Sequence, residues 1–340
     1  MPMPVFFHEE QLQHTPLYEY AFGDKINHPE TTHRAESILN ELKNETDRFK
    51  ILSPSEFPLR ILKEIHNKKM IKAIQSATGL SPEDTFYPCV FPYYRDKSQL
   101  DPSNIKHAGA FCFDNGTPLT ATTYMAAAWS AADAVEAAKT VLSSKSKYAY
   151  ALCRPPGHHA SRDLFGGYCY FNNAAVAAKM LRKVCSKVAV LDIDFHHGNG
   201  TQVIFEQDPS VLVINLHGDP NEFYPYFSGY ETETGKGTGK GFNINVCLER
   251  GVDGQEYMHA LRARAIKPIT EFAPDALILS AGFDTYAGDP VGAFALQTQD
   301  FHEIGEVIAE LDIPTVIVQE GGYDEGSLGR NVLSLLTAFH

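Results

Sequence analysis

Two histidine pairs and the carboxylates beside them are the residues in this chain whose types and spacing suit chemistry. His158 and His159 follow two prolines in RPPGHHA (154–160), and His196 and His197 lie in LDIDFHHGNG (191–200). Asp194 and His196 stand two apart, and in an extended segment that spacing sends both side chains off one face. A carboxylate and an imidazole placed so are ligands for a single metal ion. Asp284, in SAGFDTYAGDP (280–290), can close the site from a neighbouring strand end. Two carboxylates and one imidazole leave a coordination position open, as a hydrolytic zinc centre requires and a closed structural site does not. Asp192 shares the parity of Asp194 one step deeper, which suits contact with a histidine or a buried monovalent cation. A histidine pair by itself is ordinarily a core or surface feature. RPPG before this one, FGG (165–167) after it and the metal motif downstream give it a chemical setting.

Those residues need a frame. In an open parallel sheet, ligands gather outside the carboxyl ends of the strands. The apolar runs KYAYALC (147–153), KVAVLDIDF (187–195), VLVINLHG (211–218), ALILSAGF (276–283) and PTVIVQEG (314–321) predict strands covered on both faces. GFNINVCL (241–248) alternates and is a further strand candidate. Helices are expected at 172–184, 253–273, 298–311 and 326–339, and in the first half at 33–45, 67–77 and 121–142. The stretch 79–118 is rich in Pro, Gly, Asp and Asn and reads as a long irregular insertion. The prediction is one α/β domain over residues 1–340, with a central, mostly parallel sheet flanked by helices.

Composition narrows the function. A net charge of −13 over 340 residues argues against nucleic acid as a partner and favours a cationic small substrate. Six cysteines without a C-x-x-C pair suggest reduced thiols in a cytoplasmic setting. No apolar run reaches the roughly 18 residues of a membrane span, and MPMPVFFHEE lacks the basic start of a signal peptide. TGKGTGKG (234–241) lacks the spacing and the following helix of a phosphate-binding loop, and is expected to be a mobile surface loop.

RPPGHHA, FGGYCYFNNAAVAA, LDIDFHHGNGTQ, SAGFDTYAGDP and EGGY occur in this order and together resemble the histone deacetylase superfamily. ALCRPPGHHA, GGYCYFNNAAVAA and HGDP resemble its bacterial acetylpolyamine amidohydrolases most. The likeness spans about residues 105 to 340, with HRAESIL (33–39) a weaker echo. It implies an arginase-like fold, a catalytic zinc that iron(II) can replace, and removal of acetyl groups from polyamines or similar small cationic amines. Deacetylation of acetyl-lysine in proteins or peptides is the alternative. Carried over by position, Asp194, His196 and Asp284 hold zinc. His159 takes and returns a proton, His158 assists electrostatically against Asp192, and Tyr323 of EGGY donates to the developing oxyanion. Asn199, an aspartate in many histone deacetylases, partners His159. Asp192, Asn199 and Leu216 back the site, where a structural potassium ion is also implied.

Tyr168, Phe223 and Val291 are implied to wall the substrate. By the same resemblance, Lys106 and Val291 stand where polyamine enzymes carry acidic residues, and Asp114, Glu19 or Glu222 are the candidates to supply the charge for the substrate ammonium. The insertion is expected to narrow the mouth and to help build a homodimer. A binuclear manganese ureohydrolase would need further aspartates and histidines. A non-catalytic acyl-binding module would have lost a ligand or the tyrosine, and here each of those positions is filled.

Overall fold

The computed structural model describes residues 2–92 and 97–340. Its strands, in chain order, are β1 (Met3–Phe6), β2 (Tyr18–Ala21), β3 (Asp24–Asn27), β4 (Phe49–Leu52), β5 (Thr85–Phe86) and β6 (Leu119–Thr120). They continue with β7 (Tyr148–Ala151), β8 (Val188–Asp192), β9 (Val211–Gly218), β10 (Asn243–Leu248), β11 (Ala276–Ala281) and β12 (Thr315–Gln319). Eight of them form one sheet in the order β10-β9-β8-β11-β12-β7-β1-β4, parallel at every pairing.

Every residue of β8, β9, β11 and β12 is buried, which explains their unbroken apolar runs. Alternate residues feed two cores. Val188 and Val190 enter one, and Ala189 and Leu191 the other. The first core lies under α2 (Leu59–Ile65), α3 (Lys68–Gln75), the alanine-rich α4 (Thr123–Leu142), α5 (Asn173–Leu181) and α6 (Asn199–Phe205). The second lies under α1 (Thr32–Lys43), α7 (Gly254–Leu261), α8 (Lys267–Phe272), α9 (Thr298–Ala309) and α10 (Glu325–Thr337). The helix expected over 253–273 contains a π-helical turn, Arg262–Ile266, between α7 and α8.

Three local expectations need correction. First, β8 stops at Asp192, so Asp194 and His196 sit on a bend beyond the strand rather than in an extended segment. Ile193 and Phe195 are buried in the second core, which turns the residues between them toward the strand ends. Second, TGKGTGKG is tied down: Lys236 pairs with Glu206, its amide donates to the Glu206 carbonyl, and Thr238 Oγ1 donates to the Gln207 carbonyl. Third, the insertion is partly core. Ala108–Phe111 are buried, and β5 pairs with β6 to hold its base.

One buried network joins the N-terminal segment to the sheet. Glu30 accepts Arg34 at 2.8 Å and lies 3.0 Å from Arg154, with all three side chains buried. Both guanidiniums also cap backbone carbonyls, Arg154 those of Gln11, Thr31 and His14, and Arg34 those of Glu320 and Gly322. Glu30→Ala leaves two buried cations without their carboxylate, so it should cost about 3–5 kcal/mol in urea unfolding. A loss under about 1 kcal/mol would contradict this role for Glu30.

Candidate active site

β8, β11, β12 and β7 are neighbours in the sheet, and the loops after them carry the chemical residues. His196 Nδ1 lies 2.9 Å from Asp284 Oδ2 and 3.4 Å from Asp194 Oδ1. One donor atom from each of these residues falls within 4.8 Å of the others, and all three side chains are buried. Backbone amides hold the carboxylates: Phe195 N–H donates to Asp284 Oδ1 at 2.8 Å, and Gly321 N–H to Asp194 Oδ2 at 2.8 Å. Position 321 must be glycine, because a Cβ there would lie 2.5 Å from Asp284 Oδ2 and 2.6 Å from Asp194 Oδ2. Burial and the Asp194 charge push the Asp284 carboxyl up to about 7. A divalent cation between these oxygens relieves that repulsion, so the donor set fits a metal.

The tandem histidines stand beside it with their rings 4.0 Å apart. His158 Nδ1 lies 3.0 Å from Asp192 Oδ2, and its Nε2 lies 3.8 Å from Asp194 Oδ1. Burial opposes charge on His158, yet Asp194 and Asp192 overcome it and raise its pKa to about 10. His159 differs. Its Nδ1 lies 2.6 Å from Asn199 Oδ1, an amide oxygen that can only accept, so Nδ1 carries the proton and Nε2 is free to take one. Burial, then the charges of His158 and His196, hold His159 well below the usual imidazole range. Neighbouring imidazoles are thus driven apart, one toward the charged form and one toward the neutral form.

Tyr323 follows Gly322, whose φ of +113° carries the chain inward. The Arg34 guanidinium lies 4.6 Å from its ring centroid. Burial keeps the phenol protonated well above its ordinary range, with Arg34 pulling the other way. Tyr323, His159 and His196 open into one cavity of about 410 Å³ that also contains Tyr168, Val291, Asp114 and Glu19. Phe22, Tyr168 and Tyr226 also line it, each with a left-handed backbone (φ 52°, 62° and 63°). Such strain gathers at functional sites.

Several expected residues lie elsewhere. Phe223 packs against Phe195 beneath Arg250, and its neighbour Tyr224 lines the cavity instead. Glu222 is exposed and pairs with Arg250, whereas Leu216 directly follows Asn215, which aligns with Asp192, and has its side chain in the second core. His197 lies behind the site, its Nε2 3.1 Å from Gln202 Oε1. Of the insertion, Asp114, Asn115 and Gly116 reach the cavity, while the β2–β3 hairpin supplies Glu19 to Phe22. Asp114 already accepts from Gly167 N–H, Tyr224 OH, Gly116 N–H and Thr117 OH. Glu320, unremarked in the sequence except within EGGY, accepts the Gly157 and His158 amides and so fixes the turn into the histidine pair.

The histone deacetylase domain model matches residues 28–339. Acetylpolyamine amidohydrolase 2 of Pseudomonas aeruginosa is 37% identical over 99% of this chain and 98% of its own length. The enzyme of that type from Mycoplana ramosa is 36% identical over 98% of both chains. The crystal structure of acetylpolyamine aminohydrolase from Burkholderia pseudomallei superposes with a TM-score of 0.92 at 36% identity, covering 99% of this chain and 98% of that one. The chain therefore belongs to the histone deacetylase family, a zinc-dependent family of amide-hydrolysing deacetylases.

Asp284→Ala removes the candidate ligand atom nearest His196 Nδ1 and should abolish stoichiometric metal, measured by elemental analysis after dialysis against zinc. A variant that retains one zinc per chain would place the metal elsewhere.

Proposed function

We propose that this chain is a zinc-dependent deacetylase of acetylated polyamines or similar small cationic amines. The observation that carries the reading is one cavity lined by His196 of the metal-ligand cluster, His159 of the oppositely poised histidine pair, the Tyr323 phenol and the buried Glu19 carboxylate. Zinc, when held by Asp194, His196 and Asp284, supplies a water of lowered pKa and polarises the acyl carbonyl. His159 Nε2 takes the proton from the attacking water and returns it to the amine nitrogen as the C–N bond breaks. His158, held by its contact with Asp192, stabilises negative charge developing beside it. The Tyr323 phenol donates to the acyl oxygen.

The amine end of the substrate is assigned to Glu19. The described residues lining the cavity include no lysine or arginine, whereas Glu19 is buried and hydrogen-bonded to Tyr168. The four donors on Asp114 make it a scaffold for Gly167 and Tyr224 rather than a free counter-charge. A cytoplasmic homodimer and a potassium ion behind Asp192 go with this reading. Their support is the likeness to the polyamine enzymes and, for the compartment, six free cysteines.

Burial pushes Glu19 up to about 7 against the lowering pull of Tyr168, with the Asp114 charge adding to the rise. The sign follows: below about pH 7 the carboxyl is protonated and loses its hold on an ammonium, and above it the pair forms. KM for acetylputrescine, acetylcadaverine and acetylspermidine should therefore fall by about two- to fivefold between about pH 6 and pH 8, as most of the carboxyl ionises across about 7. An acetylated neutral amine of equal length should show no such fall, and Glu19→Gln should erase the difference. Equal trends for both substrates would contradict the assignment of Glu19. Higher kcat/KM on an acetyl-lysine peptide would favour the protein deacetylase.

A further inference from the structure

Asp289 lies outside the metal cluster and the histidine pair, yet four backbone amides converge on its carboxylate. Tyr323 N–H donates to Oδ2 at 2.6 Å and Asp324 N–H at 3.1 Å. On the other oxygen, Val291 N–H donates at 2.9 Å and Gly292 N–H at 3.3 Å. The side chain is buried, and no cationic side chain pairs with it among the described residues. One anion held by backbone dipoles thus spans two loops, the tyrosine loop after β12 and the loop after β11 that carries Val291 into the cavity. The second loop is itself pressed onto the ligand segment: a Cβ at Gly292 would lie 1.6 Å from the Asp284 carbonyl oxygen.

The tyrosine loop needs such an anchor. Gly321 and Gly322 precede Tyr323 and contribute no side-chain packing. Beyond them the ring meets Arg34, 4.6 Å from its centroid, and Tyr168, 5.8 Å away. Ring contacts limit where the phenol can swing, and the amide held at 2.6 Å fixes where its Cα stands.

We propose that Asp289 is a positioning residue that sets the Tyr323 phenol against the acyl oxygen and locks it to the Val291 wall of the cavity. This rests on Tyr323 acting as the acyl-oxygen donor. Asp289→Asn keeps the shape but replaces one accepting oxygen with an NH2 that cannot accept, so one of the two loops is released.

The test is a double-mutant cycle of Asp289→Asn and Tyr323→Phe in the zinc-loaded chain with acetylputrescine. Asp289→Asn should lower kcat by about 10²-fold, the scale of a misplaced catalytic group, while zinc content stays at one per chain and putrescine binding is unchanged. The double variant should be no more than about threefold slower than Tyr323→Phe, because the two residues act as one unit. Affinity for a trifluoromethyl ketone analogue, read by calorimetry, should fall in each single variant without falling further in the double. If Asp289→Asn does not fold, Asp289→Glu takes its place in the same cycle. Losses that multiply in the double variant, or wild-type kcat in the Asp289 variant, would overturn this inference and leave the role of Tyr323 standing. Wild-type turnover by Tyr323→Phe would overturn both.

Discussion

Four carboxylates, Asp192, Asp194, Asp284 and Glu320, are buried together at the ends of neighbouring strands, each at most 1% exposed. Taking one ionised carboxylate out of water costs several kcal/mol, and like charges nearby add to that. Much of the local architecture answers this cost. Asp194 N–H supports Asp192, the Gly321 and His196 amides support Asp194, the Phe195 amide supports Asp284, and the Gly157 and His158 amides support Glu320. Imidazoles complete the compensation at Asp192 and Asp284. Amides can point inward this way only if the loops turn tightly past the strand ends, which is why glycine stands where a Cβ would strike a carboxylate.

Compensation by the chain alone is incomplete, since Asp284 remains near 7. Such an imbalance is costly in a structural core and useful in a hydrolytic site. It makes a cation welcome between Asp194, His196 and Asp284 and separates the protonation states of His158 and His159. The same logic extends to the cavity wall, where Asp114 and Asp289 serve as hubs for backbone amides while Glu19 faces the cavity.

Much of this was legible in the sequence, for identifiable reasons. A sheet covered on both faces writes continuous apolar runs, so β7, β8, β9, β11 and β12 stood out, and the reactive residues clustered just past them. The pairing of Asp194 with His196 followed from strand parity, although the backbone there is bent and the pairing comes from burial of Ile193 and Phe195. β1 (MPVF) and β4 (FKIL) were missed because a proline and a lysine break their apolar runs. The β2–β3 hairpin was missed because its sequence, YEYA and DKIN, alternates weakly and is largely exposed. Asp289 lay in plain view within a motif, but its partners are backbone amides, which sequence does not display. Arg34 reads as an ordinary helix-surface cation, and only tertiary packing brings it over Tyr323. Phe223 was displaced by one residue, since loop direction alone decided that Tyr224 faces the cavity.

The central claim is that the buried carboxylates are arranged for one divalent cation. Calorimetric titration of zinc into the metal-free chain near pH 7, repeated in buffers of different ionisation enthalpy, tests it most directly. The account predicts one site per chain, net release of protons as the donors give them up, and an unfolding midpoint raised by about 5 °C or more at saturating zinc. Zinc binding that releases no protons and leaves the midpoint unchanged would contradict it.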